Sequence, residues 1–138
     1  MNSEDPSENA VPTPTAAPAD LSGAIIAAAT EIHRALGPGF PAAIYEGALC
    51  VDLERAGVPF EREKYVPVFY REKLVGEYRP GLVVSGKVAV ELKTAKAIEP
   101  IDFGIVRWSL KALDLESALI LNFATAPITI RRIERDTY

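Results

Sequence analysis

Residues 88–93 read Val-Ala-Val-Glu-Leu-Lys, an apolar run that predicts a buried strand and ends in two charged residues. Side chains two positions apart on a strand point to the same face, so Glu91 and Lys93 share one face. Taken alone, the pair has two interpretations. It is either an outward ion pair on an amphipathic strand or the polar part of a functional site, and the surrounding segments must decide.

The segments on either side predict one domain of the α+β class with the order ααβββαββ. Asp20 or Ser22 is suited to cap the first helix, and Gly37-Pro38-Gly39 is suited to end it. The turns before Lys73 and Lys87 are short, so they predict antiparallel hairpins. The predicted helices are about 21–36, 41–56 and 100–113, and the predicted strands are 60–70, 73–84, 87–93, 117–123 and 128–133.

The charge of the chain is concentrated at its start. Residues 1–20 carry four of the 19 acidic residues and no Lys or Arg, which leaves 15 acids against 15 bases in residues 21–138. A neutral domain lacks the broad positive field on which non-specific nucleic-acid binding depends. Nucleic acid is therefore a possible partner but not the favoured one.

Residues 1–20 are predicted to form a disordered, acidic arm rich in Pro and Ala, and residues 21–138 a single domain. The arm lacks the basic and apolar regions of a secretory signal, and no apolar run is long enough to span a membrane. The single Cys50 is expected to be a buried apolar residue in a reducing compartment. We therefore expect a cytoplasmic protein.

Two further features have both a structural and a functional interpretation. His33 near the end of the first helix can interact with the helix dipole or contribute to a site, but no second His or Cys stands at zinc-ligand spacing. In the helix after Pro100, Ile101, Ile105, Trp108 and Ala112 recur on one apolar face. That face is either core or, if Ile105 is exposed, a surface for protein contact.

Several motifs in order, spread over nearly all of the chain after residue 20, resemble the bacterial GxxExxY family of the PD-(D/E)XK nuclease-like superfamily. The resemblance implies an αβββαβ core with an extra N-terminal helix and a C-terminal strand. Members with an intact site would hold Mg²⁺ with carboxylates and use a lysine to position or activate water. The matching stretches are 31–39, Tyr45-Glu46-Gly47-Ala48-Leu49, Gly76-Glu77-Tyr78-Arg79, Val90-Glu91-Leu92-Lys93 and Leu121-Asn122-Phe123.

The departures from the family pattern lie at its polar site positions. Ala42 replaces the glutamate of the motif that names the family, and Gly81 replaces the metal-binding aspartate of Tyr-Arg-x-Asp-Leu. Ile105 and Ser109 occupy the positions of a glutamine and a tyrosine. The remnant Glu91 and Lys93 are then expected to form a simple ion pair, with no metal and no cofactor.

Three functions stay open at this point. The favoured one is a catalytically inactive binding or regulatory module with a protein partner or a homo-oligomeric interface. The second is a Mg²⁺-dependent nuclease with rearranged ligands. It would draw on Glu46 and Tyr45, and Glu77 and Asp102 also lie on elements that are expected to approach the site. The third is binding of nucleic acid or a nucleotide without cleavage. The residues expected on the binding face are Ile105, Trp108, Ser109, Arg79 and His33.

Overall fold

The computed structural model describes residues 18–62 and 64–135, so the predicted arm over residues 1–20 lies almost entirely outside the described residues. The α+β class is confirmed. The helices are α1 (Pro18–Leu36), α2 (Ala42–Arg55) and α3 (Pro100–Leu113). The strands are β1 (Phe60–Glu61), β2 (Val66–Tyr70), β3 (Lys73–Tyr78), β4 (Leu82–Val84), β5 (Val88–Lys93), β6 (Ser117–Asn122) and β7 (Thr129–Glu134).

Five strands form the main sheet in the order β1-β4-β5-β6-β7. The central strands β5 and β6 are parallel, and α3 is the crossover between them, whereas the other pairs are antiparallel. Strands β4 and β6 are buried along their whole length and β5 over residues 88–90. A sheet with a parallel centre needs cover on both faces, and the helices provide it.

The alternation along β5 separates two layers of core. Val88 and Val90 pack with α1 and α2, whereas Ala89 packs with α3. Because the alternation continues, Glu91 and Lys93 lie on the α3 face, at the end of the strand where the buried pattern stops. Helix α1 covers the opposite face with four buried side chains at helical spacing, Leu21, Ile25, Ala29 and Ile32.

Helix α2 is less deeply buried than its apolar composition suggests. Leu49, Cys50 and Leu53 are buried, whereas Ile44 and Val51 are about half exposed, at 47% and 53%. The helix has the sheet and α1 on one side only, so its second apolar face meets solvent. Cys50 is buried, as expected for a small apolar residue.

The predicted strands 60–70 and 73–84 form one long hairpin that is interrupted in the middle. At the base of the hairpin, Phe60 pairs with Val84 in the main sheet. The outer part continues in the same register, from the pair Val66 and Tyr78 to the pair Val68 and Gly76. The two halves of each predicted strand are separated by residues 62–65 and 79–81. We call the outer part, residues 66–78, the hairpin arm. Sequence periodicity did not reveal the break because both halves have strand composition.

The apolar face predicted for α3 is not its core face. The side chains that pack on the sheet are Val106 and Leu110, with the buried Ser109 between them. Ile101 is 78% exposed and Ile105 42% exposed. The helix begins at Pro100 as predicted, with a capping box between Glu99 and Asp102. None of the described helices has the length and apolarity required to traverse a bilayer.

Candidate functional site

The Glu91 carboxylate accepts two hydrogen bonds from the segment between β3 and β4. The Tyr78 hydroxyl donates to Glu91 Oε2 at 2.9 Å, and the backbone N–H of Gly81 donates to the same carboxylate. This geometry follows from the sheet register, in which Leu82 pairs with Val90 and so places Gly81 beside Glu91. The carboxylate is therefore bound by its own chain.

Position 81 has no room for a side chain. A Cβ atom built on Gly81 would lie 2.3 Å from the carbonyl oxygen of Val90 and 3.3 Å from the Leu92 side chain. The first distance is far inside van der Waals contact with a backbone atom, which cannot move aside as a flexible side chain can. An aspartate at this position requires the backbone to shift. The close approach of the two strands thus excludes the carboxylate that the family pattern has here.

Lys93 pairs with α3 and not with its neighbour on the strand. Its Nζ lies 3.0 Å from Asp102 Oδ1, so the expected Glu91–Lys93 ion pair is not the salt bridge that forms. Asp102 is available because it is the third residue of α3, where its Oδ2 also accepts the Glu99 N–H at 2.8 Å. That backbone bond, followed by the interaction with Lys93, lowers the pKa of Asp102.

Burial and hydrogen bonding shift the pKa of Glu91 in opposite directions. Burial raises the pKa of Glu91, and the donors Tyr78 and Gly81 together with the charges of Lys93 and Arg79 offset only part of this rise. The pKa of Tyr78 is also raised, first by burial and then by the charge of Glu91 and the bond to it. The phenol therefore keeps its proton and acts as the donor.

A small cavity of about 30 Å³ lies over these groups. Its lining residues are Tyr78, Glu91, Lys93, Asp102, Ile105, Val106 and Ile120, and we call it the Glu91 cleft. Trp108 borders it, since its ring meets the Tyr78 ring edge-on with 6.0 Å between centroids. Ser109 is buried and donates to the Ile105 carbonyl at 3.0 Å. The structure thus places Ile105, Glu91 and Lys93 together in the lining of the cleft, with Trp108 at its border.

Sequence reasoning did not assign Tyr78 to the site. Its position one residue before Arg79 in the family-like segment was the signal that could have identified it. Asp102 lies on an element that is expected near the site, but a capping residue has no strand periodicity to show which face its side chain reaches. Both side chains contact the remnant pair directly.

Glu46 belongs to a second charged cluster. Its Oε2 accepts from Arg79 at 2.8 Å and from Arg62 Nε at 3.1 Å, and the residue is only 8% exposed. A carboxylate that is this deeply buried needs such partners to offset its lost hydration. Arg79 also acts electrostatically on Glu91, so it connects the two clusters.

Tyr45 and His33 lie on the opposite face of the sheet from Glu91. The Tyr45 ring stacks on Phe123 at 4.3 Å, and its hydroxyl donates to the Gly37 carbonyl at 2.5 Å. His33 lies 6.2 Å from the same Phe123 ring, and its Nε2 is buried without a hydrogen-bond partner in the described part of the chain. The fold therefore does not bring these two residues to the Glu91 cleft.

The residues present do not fit the Mg²⁺ site that the fold implies. Over residues 18–62 and 64–135, no three His, Cys, Asp or Glu side chains gather as a metal-binding group. The cleft has room for about one or two water molecules, whereas Mg²⁺ requires octahedral oxygen ligands and usually keeps several waters. Asp102, the second carboxylate in the cleft, is paired with Lys93.

A concavity larger than the Glu91 cleft lies just beyond Lys93 in the described part of the chain. It is an open groove of about 530 Å³ lined by the loop between α1 and α2 and by the ends of β5 and β6. Its lining residues, Pro38, Gly39, Phe40, Pro41, Thr94 and Ala124, include no ionisable side chain. Acid–base chemistry has no group to use there.

A sequence profile described as the PD-(D/E)XK nuclease superfamily matches residues 19–133. The chain belongs to this superfamily. The match covers α1 to β7 and agrees with the observed fold, in which α2, the interrupted hairpin, β5, α3 and β6 form the αβββαβ core of the superfamily and α1 and β7 are added at its ends. No curated protein and no solved structure matches the chain.

Replacing Gly81 by alanine is expected to destabilise the domain by about 1–3 kcal/mol, because the new Cβ would clash with the Val90 carbonyl. Gly76→Ala is the matched control, since a Cβ at Gly76 has no heavy atom within 4 Å. Urea unfolding of both variants measures the difference in free energy. Equal stability of the two variants would contradict the steric argument.

The contribution of Glu91 to stability should fall as pH rises. Because burial raises its pKa above the ordinary 4.5, the folded state retains a proton at pH values where the unfolded chain has released it. Stability is then greatest below the unfolded pKa and decreases as pH rises through the folded pKa. Glu91→Gln does not titrate, so the free energy of unfolding of wild type minus that of the variant should decrease as the pH rises above the ordinary pKa of 4.5. A constant or increasing difference in urea titrations would contradict a raised pKa of Glu91 in the folded state.

Proposed function

We propose that this protein is a catalytically inactive nuclease-fold protein that serves as a protein-binding or regulatory module in the bacterial cytoplasm. We further propose that it belongs to the GxxExxY group within the superfamily. The observation that carries the proposal is the 2.3 Å distance between a Cβ at position 81 and the Val90 oxygen. The loss of the metal-binding aspartate is harder to reverse when the strand geometry also excludes a side chain at position 81 than when the side chain alone has changed.

The partners of the remnant residues support the same conclusion. A two-metal-type hydrolase needs carboxylates that are free to bind metal and a lysine that is free to position water. Here the Glu91 carboxylate is bound by Tyr78 and Gly81, and Lys93 is bound by Asp102. Activity would require these contacts to break before metal and substrate could enter.

The rim of the Glu91 cleft favours contact with protein over contact with phosphate. Ile105 is 42% exposed beside Glu91, and Ile101, one turn earlier on α3, is 78% exposed. Exposed apolar surface of this kind marks protein contacts in soluble proteins, whereas phosphate binding needs cations and water. The basic groups near the cleft, Arg79 and Lys93, already have acidic partners.

The purified protein is expected neither to bind Mg²⁺ or Mn²⁺ at Glu91 nor to cleave DNA or RNA. Isothermal titration calorimetry with each metal and a cleavage assay on single- and double-stranded substrates measure this. Metal binding below about 1 mM, abolished by Glu91→Ala together with cleavage, would instead support a nuclease with rearranged ligands. Binding of nucleic acid without cleavage would support the third function.

A charge at the rim of the cleft should abolish partner binding without unfolding the domain. Ile105→Glu adds a charge to a partly exposed side chain, so we expect at least tenfold weaker capture of the partner that co-purifies with the wild type, with a near-native free energy of unfolding. Ile44→Glu is the matched control, because Ile44 is 47% exposed on α2. If Ile105→Glu unfolds the domain, or if both variants bind equally well, the contact face lies elsewhere.

A further inference from the structure

The hairpin arm exposes a second apolar surface, away from the Glu91 cleft. Phe69, Leu74 and Val75 are 61%, 59% and 61% exposed. Phe69 pairs directly with Leu74, and the register shift between Val68 and Phe69 leaves Val75 as the extra residue of a β-bulge. A bulge places two residues opposite one, so Leu74 and Val75 both lie across from Phe69. We call these three residues the arm patch.

The arm patch faces away from the rest of the domain. On the other face of the arm, Val66 is buried and its partner Tyr78 is partly buried, where β2 contacts α3. Alternation along β2 places Phe69 on the face opposite to Val66. The arm therefore carries one face that packs on its own domain and one apolar face in solvent.

The arm has little support of its own. Among the described strands, β2 and β3 pair only with each other. An isolated two-stranded hairpin is at best marginally stable in water, and it gains stability when a further layer covers its apolar face. A covering layer on the arm patch would supply what the main sheet does not.

We propose that a second copy of this chain covers the arm patch, so that two arms pack face to face around a two-fold axis. A whole aromatic side chain has roughly 150–250 Å² of surface, so the exposed part of Phe69 amounts to about 100–150 Å². The three side chains of the arm patch together then expose on the order of 300 Å². Two patches bury on the order of 600 Å², and with the usual apolar share of an interface the total comes to about 1,000 Å². That is the lower limit for a specific dimer.

The bases at the tip of the arm lie away from the arm patch. Arg71 lies over the Tyr70 ring and Lys73 pairs with Tyr70, which alternation along β2 places on the face of Val66. Two copies that pack through the arm patch therefore do not bring these like charges together. A two-fold dimer uses the same patch on both subunits and so closes without forming filaments. The bulge argues against the alternative of edge-to-edge pairing, because it distorts the free edge of β3.

This dimer is separate from the partner contact proposed at Ile105. Sedimentation velocity on the full chain over a range of concentrations should show a reversible monomer–dimer equilibrium with a dissociation constant on the order of 1–100 µM, as expected for an interface near the lower size limit. Leu74→Lys should raise this constant at least tenfold. Val51→Lys is the matched control, because Val51 is 53% exposed on α2 and lies outside the arm, so its constant should equal that of the wild type.

Circular dichroism first confirms that each variant is folded, and Phe69→Lys replaces Leu74→Lys if the latter is not. A wild type that stays monomeric at about 500 µM, or a folded Leu74→Lys variant that dimerises like the wild type, overturns the inference. If Ile105→Glu abolishes the dimer and Leu74→Lys does not, the self-contact lies at the Glu91 cleft. That result overturns the arm dimer but leaves the proposed function in place.

Discussion

The close approach of Gly81 to strand β5 is the constraint on which the site and the hairpin both depend. The Gly81 N–H donates a hydrogen bond to the Glu91 carboxylate. The Gly81 Cα lies so close to the Val90 carbonyl oxygen that a side chain at position 81 would clash with it. This backbone contact falls where the long hairpin loses its pairing, between Tyr78 and Leu82. Pro80 in the same segment has no N–H to contribute to a ladder. The interruption of the hairpin and the two donors to the Glu91 carboxylate, Tyr78 and Gly81, thus lie in one short segment.

The charged residues of this region are paired with side chains of the chain itself. Glu46 is held by Arg62 and Arg79, and Lys93 by Asp102. Removing an arginine from the Glu46 cluster costs more than the net contribution of the pair, since the Glu46 carboxylate stays buried with one partner fewer. Under the proposed function, this gives Glu46 and its arginines a structural reason to persist without catalysis. Glu91 and Lys93 are therefore weak indicators of present activity.

Two of the apolar surfaces that remain in solvent carry the proposed contacts. One is the rim of the Glu91 cleft with Ile105, and the other is the arm patch with Phe69 and Leu74. They lie on different elements, α3 and the hairpin arm, which allows self-association and partner binding at the same time. A module of this kind would present two copies of its cleft on one dimer, which increases the avidity for a partner that is itself multivalent.

The sequence alone determined the fold class, the order of the elements, the start of α3 at Pro100 and the face shared by Glu91 and Lys93. These features follow from local periodicity and from capping and turn residues, which act within a few positions along the chain. Tertiary structure decided the rest: the break in the hairpin, the partner of Lys93 and the face of α3 that is buried. Ile101 and Ile105 are apolar at helical spacing, yet Val106 and Leu110 form the contact with the sheet. Periodicity shows that a helix has an apolar face, but which of two such faces is buried depends on the position of the sheet, and that position is set by contacts distant in sequence.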